Sequence, residues 1–180
     1  MQNLTAIKME LLQLTVSTGP IEFTCGDEDL DDFIINDACD YHTNLLSETF
    51  ILKTPDVNLG YFTLLNDKVG LEAFDDRTSF NRFRKKRFVN SKRLKAYPAI
   101  KIGRLAVHQD YSRNGYGSLL LDTIKTLIIS NRYSGCRFMT VDAYKDVIPF
   151  YEKNGFIRIN SSLADNGTCL MVYDLISATA

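Results

Sequence analysis

Cysteine is sparse and unpatterned here. The four residues (Cys25, Cys39, Cys136, Cys169) form no CxxC pair and no zinc-ligand spacing. That argues against a zinc scaffold or a disulfide framework, and it makes reduced, small hydrophobic thiols in a cytoplasmic setting the expectation. No apolar run approaches the ~18 residues of a membrane span. The opening MQNLTAIKMELLQLTV alternates and lacks the continuous apolar stretch of a secretory leader. Neither a metal nor a membrane is expected. Internal repeats, low-complexity tracts and Gly/Ser/Pro-rich linkers are also missing, so residues 1–180 read as one domain.

Charge of one sign is missing locally. From Met9 to Leu52 there is no Lys or Arg, and from Arg77 to Gln109 there is no acid, although the whole chain has a net charge of only −1. A chain that is neutral in sum can still carry a basic face.

What is present reads as mixed α/β. Met9–Val16 alternates as a strand. Asp27 can cap a helix over Glu28–His42, where Leu30, Phe33, Ile34, Ala38 and Tyr41 recur at helical spacing. Thr49–Lys53 and Leu59–Leu65 predict a hairpin across Pro55-Asp56-Val57-Asn58, and Val69–Phe74 a further strand. After the basic stretch Asn81–Lys95, Ala99–Val107 predicts a strand with a bulge or close approach at Gly103. Tyr116–Asn131 predicts a helix with a core stripe of Leu120, Ile124, Leu127 and Ile128. Phe138–Asp142, Phe156–Asn160 and Thr168–Leu175 read as strands, and Val147–Asn154 as a short helix stopped by Gly155. The order implies an antiparallel first half and a β-α-β crossover in the second.

The strand–loop–helix from Ala99 to Asn131 carries the chemistry. In RNGYGS, Gly115 and Gly117 let successive amides turn toward one anion, and the helix that follows adds its dipole. A Rossmann fingerprint would need a third Gly where Leu120 stands, and a P-loop would need GKS or GKT. The stretch GRLAVHQDYSRNGYGSLLLD resembles the acetyl-CoA-binding motif Q/R-x-x-G-x-G/A of the GNAT superfamily of N-acetyltransferases. Downstream, VDAYKDVIPFYEKNGF is similar to that family's strand–helix segment ending FY-x-x-x-GF.

The resemblance implies a GNAT fold, a largely antiparallel central sheet flanked by helices, over about Met9–Leu175. It implies an acetyl-CoA-dependent N-acetyltransferase that moves the acetyl group directly to a primary amine. The amides of Arg113, Asn114, Gly115, Tyr116, Gly117 and Ser118 would hold the pyrophosphate. Leu105, Ala106 and Val107 would meet the pantetheine arm and the acetyl carbonyl. Tyr151 would protonate the departing thiolate, a role suited to a phenol that is neutral at pH 7. Two positions depart from the family pattern: Ser112 replaces the usual Gln/Arg, and Tyr144 an Asn often found seven residues before the tyrosine. Glu48, Asp142, His108 and ordered water are alternative sinks for the amine proton.

FTCGDEDLDDFIINDACDYHTNLLSETFIL and the GRLAV strand are similar to GNAT toxins of toxin–antitoxin pairs, which acetylate the amino acid of charged tRNAs. That resemblance adds tRNA and an antitoxin as partners and admits a homodimer. Arg82, Arg84, Lys85, Lys86, Arg87, Lys92, Arg93 and Lys95 could face phosphates, with Phe83 and Phe88 stacking on bases. The main reading leaves the acceptor open as a small-molecule or peptide amine; the toxin acting on aminoacyl-tRNA is the alternative, and a catalytically silent acyl-CoA-binding module the second.

Overall fold

The computed structural model describes residues 8–88, 94–131, 134–160, 164 and 167–178. In chain order the elements are β1 (Glu10–Gln13), α1 (Glu28–Asp32), a π-helical turn (Phe33–Asp37), α2 (Ala38–Thr43), β2 (Glu48–Lys53) and β3 (Asn58–Gly70). A 3-10 turn (Leu71–Ala73), α3 (Arg77–Arg87), β4 (Ala96–Val107), α4 (Tyr116–Ser130), β5 (Phe138–Tyr144), α5 (Ile148–Lys153), β6 (Ile157–Arg158) and β7 (Thr168–Asp174) follow. The strands form one seven-stranded mixed sheet in the order β1-β2-β3-β4-β5-β7-β6. β1–β2, β2–β3, β5–β7 and β6–β7 pair antiparallel, and β4–β5 is parallel, with Ala99 opposite Phe138 and Lys101 opposite Thr140. The chain therefore has the expected antiparallel first half and β4-α4-β5 crossover. Contacts cluster into two compact units, Met1–Leu65 with Gly103–Ile124, and Asn66–Ile102 with Lys125–Ala180.

In the first unit, Asp27 caps α1 as the sequence predicts, its carboxylate accepting from the amides of Asp29 and Leu30 at 3.1 and 3.2 Å. Such a cap stabilises a helix by about 1 kcal/mol, and the acids Glu28, Asp29 and Asp31 in the first turn suit the dipole. The expected single helix is interrupted by the π turn, so its apolar residues keep facing inward through an altered period. Phe33, Ile34 and Ala38 pack with Leu14, Phe23, Ile51, Tyr61 and Ala106 as one core. The Tyr61 hydroxyl donates to the Leu30 carbonyl at 2.7 Å, tying strand to helix. Gly103 marks a close approach: a Cβ there would stand 2.9 Å from Thr63 Oγ1 and from Leu65 Cδ2. The buried stripe of α4 is Leu120, Leu121 and Ile124. Leu127 and Ile128, expected in that stripe, lie in the second unit and are only half-buried.

The second unit has an aromatic core in which Val69, Phe80, Phe83, Tyr97, Ala99, Phe138, Ile159 and Val172 pack together. The expected strand Val69–Phe74 does not form, because β3 runs on to Gly70 and the chain then turns through Leu71–Ala73. Several strands have other bounds than the sequence pattern predicts, β6 being only two residues long. Asp174 accepts from Arg137 Nε and Nη2 at 2.9 Å each, and Arg87 Nε lies 3.2 Å from the same carboxylate.

Candidate active site

β4 ends on Leu105, Ala106 and Val107, of which Ala106 is buried in the first unit's core. The loop beyond is tied down at its start: the His108 amide donates to the Leu59 carbonyl, and that of Gln109 to the Thr24 carbonyl, both at 2.9 Å. A 3-10 turn follows over Gln109–Tyr111. The backbone then enters the left-handed region at Arg113 (φ +61°) and again at Gly115 (φ +88°). A side chain at position 115 would have open space but a strained backbone, so glycine is needed there for conformation. α4 starts at once, and its first intrahelical bond runs from the Leu119 amide to the Gly115 carbonyl at 3.1 Å. The amides of Tyr116, Gly117 and Ser118 belong to the turn that has no intrahelical acceptors. Left-handed residues next to a helix N-terminus make a concavity of N–H groups suited to an anion. The residues thus fit the pyrophosphate of a CoA thioester. Arg113, Asn114 and Gly115 are exposed, and Tyr116–Ser118 half-buried. Ser112, at the Gln/Arg position of the motif, is exposed, so backbone groups dominate this cradle.

Tyr151 belongs to the second unit. It is 6% exposed at the end of α5, its ring edge-on to Phe150 at 5.1 Å and to Phe156 at 5.3 Å. Its carbonyl accepts from the amides of Asn154 and Phe156, both at 3.0 Å, and Gly155 closes the helix at φ +88°. Burial alone pushes the phenol up to about 12. The hydroxyl is therefore fully protonated at neutral pH and available as a donor. A raised folded-state value also fixes a sign. The stability it represents is present below pH 10 and is lost as pH rises toward 12, because the unfolded chain releases the proton first. Wild type should lose on the order of 2 kcal/mol more than Tyr151→Phe between pH 10 and 12 in urea titrations. Parallel losses would mean the phenol is not desolvated.

The candidate bases all have partners. Glu48 Oε2 lies 2.8 Å from His42 Nδ1 and accepts from Gln13 Nε2 at 3.0 Å. Asp142 is paired with Lys101. His108 Nδ1 accepts from the Asp110 amide at 3.3 Å, and its ring packs against Phe23 and Tyr111. The Cys25 thiol is pushed up to about 11, chiefly by burial and then by its hydrogen bond to Asp31, which disfavours a thiolate nucleophile. All four cysteines are free. Among the described residues no group of three or more His, Cys, Asp or Glu could hold a metal ion, and no helix is long and apolar enough to cross a membrane.

The basic segment divides by face. In α3, Phe80, Phe83 and Arg87 point inward, while Arg77, Lys85 and the i,i+4 pair Arg82 and Lys86 are exposed. Phe83 and Phe88, expected to stack on bases, are instead occupied. Phe83 is buried against Phe74 and Phe138, and Phe88 stacks on Tyr97 at 4.3 Å with Arg137 over its other side. Arg87 is committed to Asp174, and Arg84 lies over the Phe80 ring. Lys92 and Arg93 lie outside the described residues. Sequence reasoning passed over Arg104, whose only signal was its place in GRLAV.

Residues 72–176 match the acetyltransferase (GNAT) domain family. The chain belongs to the GNAT acetyltransferase family and is an acyltransferase. A search of curated proteins found no match. Among solved structures, it is similar to AtaT complexed with acetyl-methionyl-tRNAfMet, with 23% identity over 96% of this chain and 98% of that one and a TM-score of 0.74. A second similar structure, described as a bacterial toxin, has 15% identity over 96% and 95% of the two chains and a TM-score of 0.77. A third, AtaTR bound with AcCoA, has 23% identity over 95% and 96% and a TM-score of 0.71. These likenesses establish the GNAT fold.

Proposed function

We propose that this chain uses acetyl-CoA to acetylate the α-amino group of an aminoacyl-tRNA, acting as the toxin of a toxin–antitoxin pair. The observation that carries the reading is the exposed face of α3, where Arg77, Arg82, Lys85 and Lys86 stand on a helix without an acid. Among the described residues, Arg82, Lys85 and Lys86 are in no ion pair. Arg82 has the helix-cap carboxylate of Asp76 in its electrostatic reach, and cations that make no close ion pair gain affinity for a polyphosphate by counterion release. A small amine acceptor would need no such face. Similarity in fold to a protein complexed with acetyl-methionyl-tRNAfMet and to a toxin bound to its antitoxin's C-terminus supports the same reading.

In this reading acetyl-CoA supplies an activated thioester carbonyl. The amides of Arg113–Ser118 bind its pyrophosphate, and Leu105–Val107 position the acyl arm. As the amine nitrogen bonds to the carbonyl carbon and the C–S bond breaks, Tyr151 gives its proton to the sulfur. The amine loses a proton to solvent, directly or through a neighbouring carboxylate such as Glu48. An antitoxin would restrain the activity, and residues 1–180 would act as one acetyltransferase domain.

Reversing Arg82, Lys85 and Lys86 to Glu tests the basic face without touching Arg87, whose removal would leave Asp174 short of a partner. The triple variant should bind tRNA about 100-fold more weakly, with a shallower salt dependence, bind acetyl-CoA normally, and no longer arrest growth when expressed. Unchanged tRNA affinity and salt slope would remove α3 from the interface. Absence of growth arrest by the wild type, together with acetylation of a small amine in place of charged tRNA, would overturn the toxin reading.

A further inference from the structure

The strand that leads into the cradle carries a cation that, among the described residues, makes no ion pair. Arg104 stands one residue before Leu105 in β4 and is half-buried. Its guanidinium carbon lies 3.6 Å from the centroid of the Phe33 ring and 5.5 Å from that of Tyr41. Phe33 is 1% exposed, and the Tyr41 ring meets it edge-on at 5.1 Å, so the two rings form a fixed wall behind the charge. Among the described residues no carboxylate lies within ion-pair distance of Arg104. Arg87 and Arg137 make the contrast, since both also lie on aromatic faces but share Asp174.

Local structure is bent to build this wall. The π turn Phe33–Asp37 begins at Phe33 itself and interrupts a helix whose apolar spacing would otherwise have run on. Mid-helix π turns recur at functional sites, because an inserted residue re-aims side chains at some cost to the helix. A guanidinium held flat on an aromatic ring keeps its N–H fork free in its own plane, the arrangement that grips an oxyanion with two parallel bonds.

The identity of that anion rests on the reading above, in which Leu105–Val107 present the acetyl group. The donor's pyrophosphate is then held at Arg113–Ser118, its ribose 3′-phosphate lies on the far side of that pyrophosphate from the acyl group, and the acyl arm carries no charge. On that reading the anion that meets Arg104 during turnover comes from the acceptor. In the nucleic-acid part of an aminoacyl-tRNA, the negative group nearest the reactive amine is the phosphodiester that joins the terminal adenosine to the preceding cytidine. We propose that Arg104, backed by Phe33 and Tyr41, binds this phosphodiester and so makes the enzyme selective for a tRNA-borne amine over a free one.

The test is a double-mutant cycle on steady-state acetylation of charged tRNA. One axis replaces the terminal phosphodiester by a neutral methylphosphonate, introduced by ligating a synthetic 3′ end. The other compares wild type with Arg104→Gln and Arg104→Lys. Either the methylphosphonate or Arg104→Gln alone should lower kcat/KM about 30–100-fold, mostly through KM, as expected for losing a charged bidentate contact. Combined, they should cost no more than either alone. Arg104→Lys should recover part of the loss on native tRNA and none on the methylphosphonate. Losses that multiply, or a wild type indifferent to the methylphosphonate, overturn the assignment while leaving aminoacyl-tRNA as the substrate. A wild type that acetylates no charged tRNA overturns the substrate reading itself, and this proposal with it. Melting temperatures report folding, and should Arg104→Gln fail to fold, Arg104→Lys against the two tRNAs carries the cycle.

Discussion

Tyr151→Phe is expected to lower turnover about 10²–10⁴-fold while leaving acetyl-CoA affinity within about twofold, because general-acid assistance is lost and nothing else is. The substitution removes one oxygen from a side chain that is 6% exposed and keeps both edge-on aromatic contacts. Burial is the only cause of the phenol's raised value, with no hydrogen bond or charge contributing, so the fold does not depend on the hydroxyl. Melting temperature should therefore hold within about a degree or two, since the packed ring is kept. The raised value also makes Tyr151 a poor base and a durable acid. Below pH 10 its protonation is complete, so no falling limb in kcat can come from it. The measurement is kcat and KM for both substrates with a thiol-release assay. Near-normal turnover would show that solvent protonates the thiolate, and a large fall in acetyl-CoA affinity would make Tyr151 a binding residue instead.

Local signals in the sequence were enough for the parts of this molecule that are local. Asp27 as a cap, Gly155 as a stop and the strand–loop–helix around RNGYGS depend on residues a few positions apart, and the structure has all three. Phe83, Phe88 and Arg87 of the basic stretch differ from expectation for a physical reason. A run such as RFRKKRF carries two messages, its charge and its helical period, and only the fold shows that Phe83 and Arg87 point inward to Phe138 and Asp174. Those partners are 55 and 87 residues away along the chain, beyond any window of periodicity. The strand expected over Val69–Phe74 failed similarly: its apolar residues do enter a core, but as the end of β3 and a 3-10 turn. Arg104 was invisible because its meaning is an absence, a half-buried charge with no ion pair among the described residues, and a missing partner cannot be read from neighbours in sequence. Its aromatic wall comes from a π turn that no residue pattern in FIIND announces.

Gly117→Asp should separate the cradle from the helix it begins, because the two respond with opposite signs. Gly117 is the second residue of α4, and its φ is not in the left-handed region, so a side chain is compatible with its backbone. For the helix the change is favourable: Asp has better helix propensity than Gly, and a negative charge in the first turn interacts well with the macrodipole, by about 0.3–1 kcal/mol. For an anion at the same amides it is adverse, because the new carboxylate competes for those N–H groups and repels the pyrophosphate. Melting temperature in the absence of ligand should stay level or rise, while the Kd for CoA measured by calorimetry should increase at least about 100-fold, the scale of losing one or two charge-assisted hydrogen bonds. Gly117→Ala, which adds bulk without charge, should fall between. Gly115→Val reports the other half of the design. A β-branched residue at φ +88° strains the loop, so stability and CoA affinity should fall together. If Gly117→Asp leaves CoA affinity unchanged in a folded protein, the pyrophosphate does not sit on the first turn of α4. The assignment of Arg113–Ser118 then fails, whatever the chemistry at Tyr151.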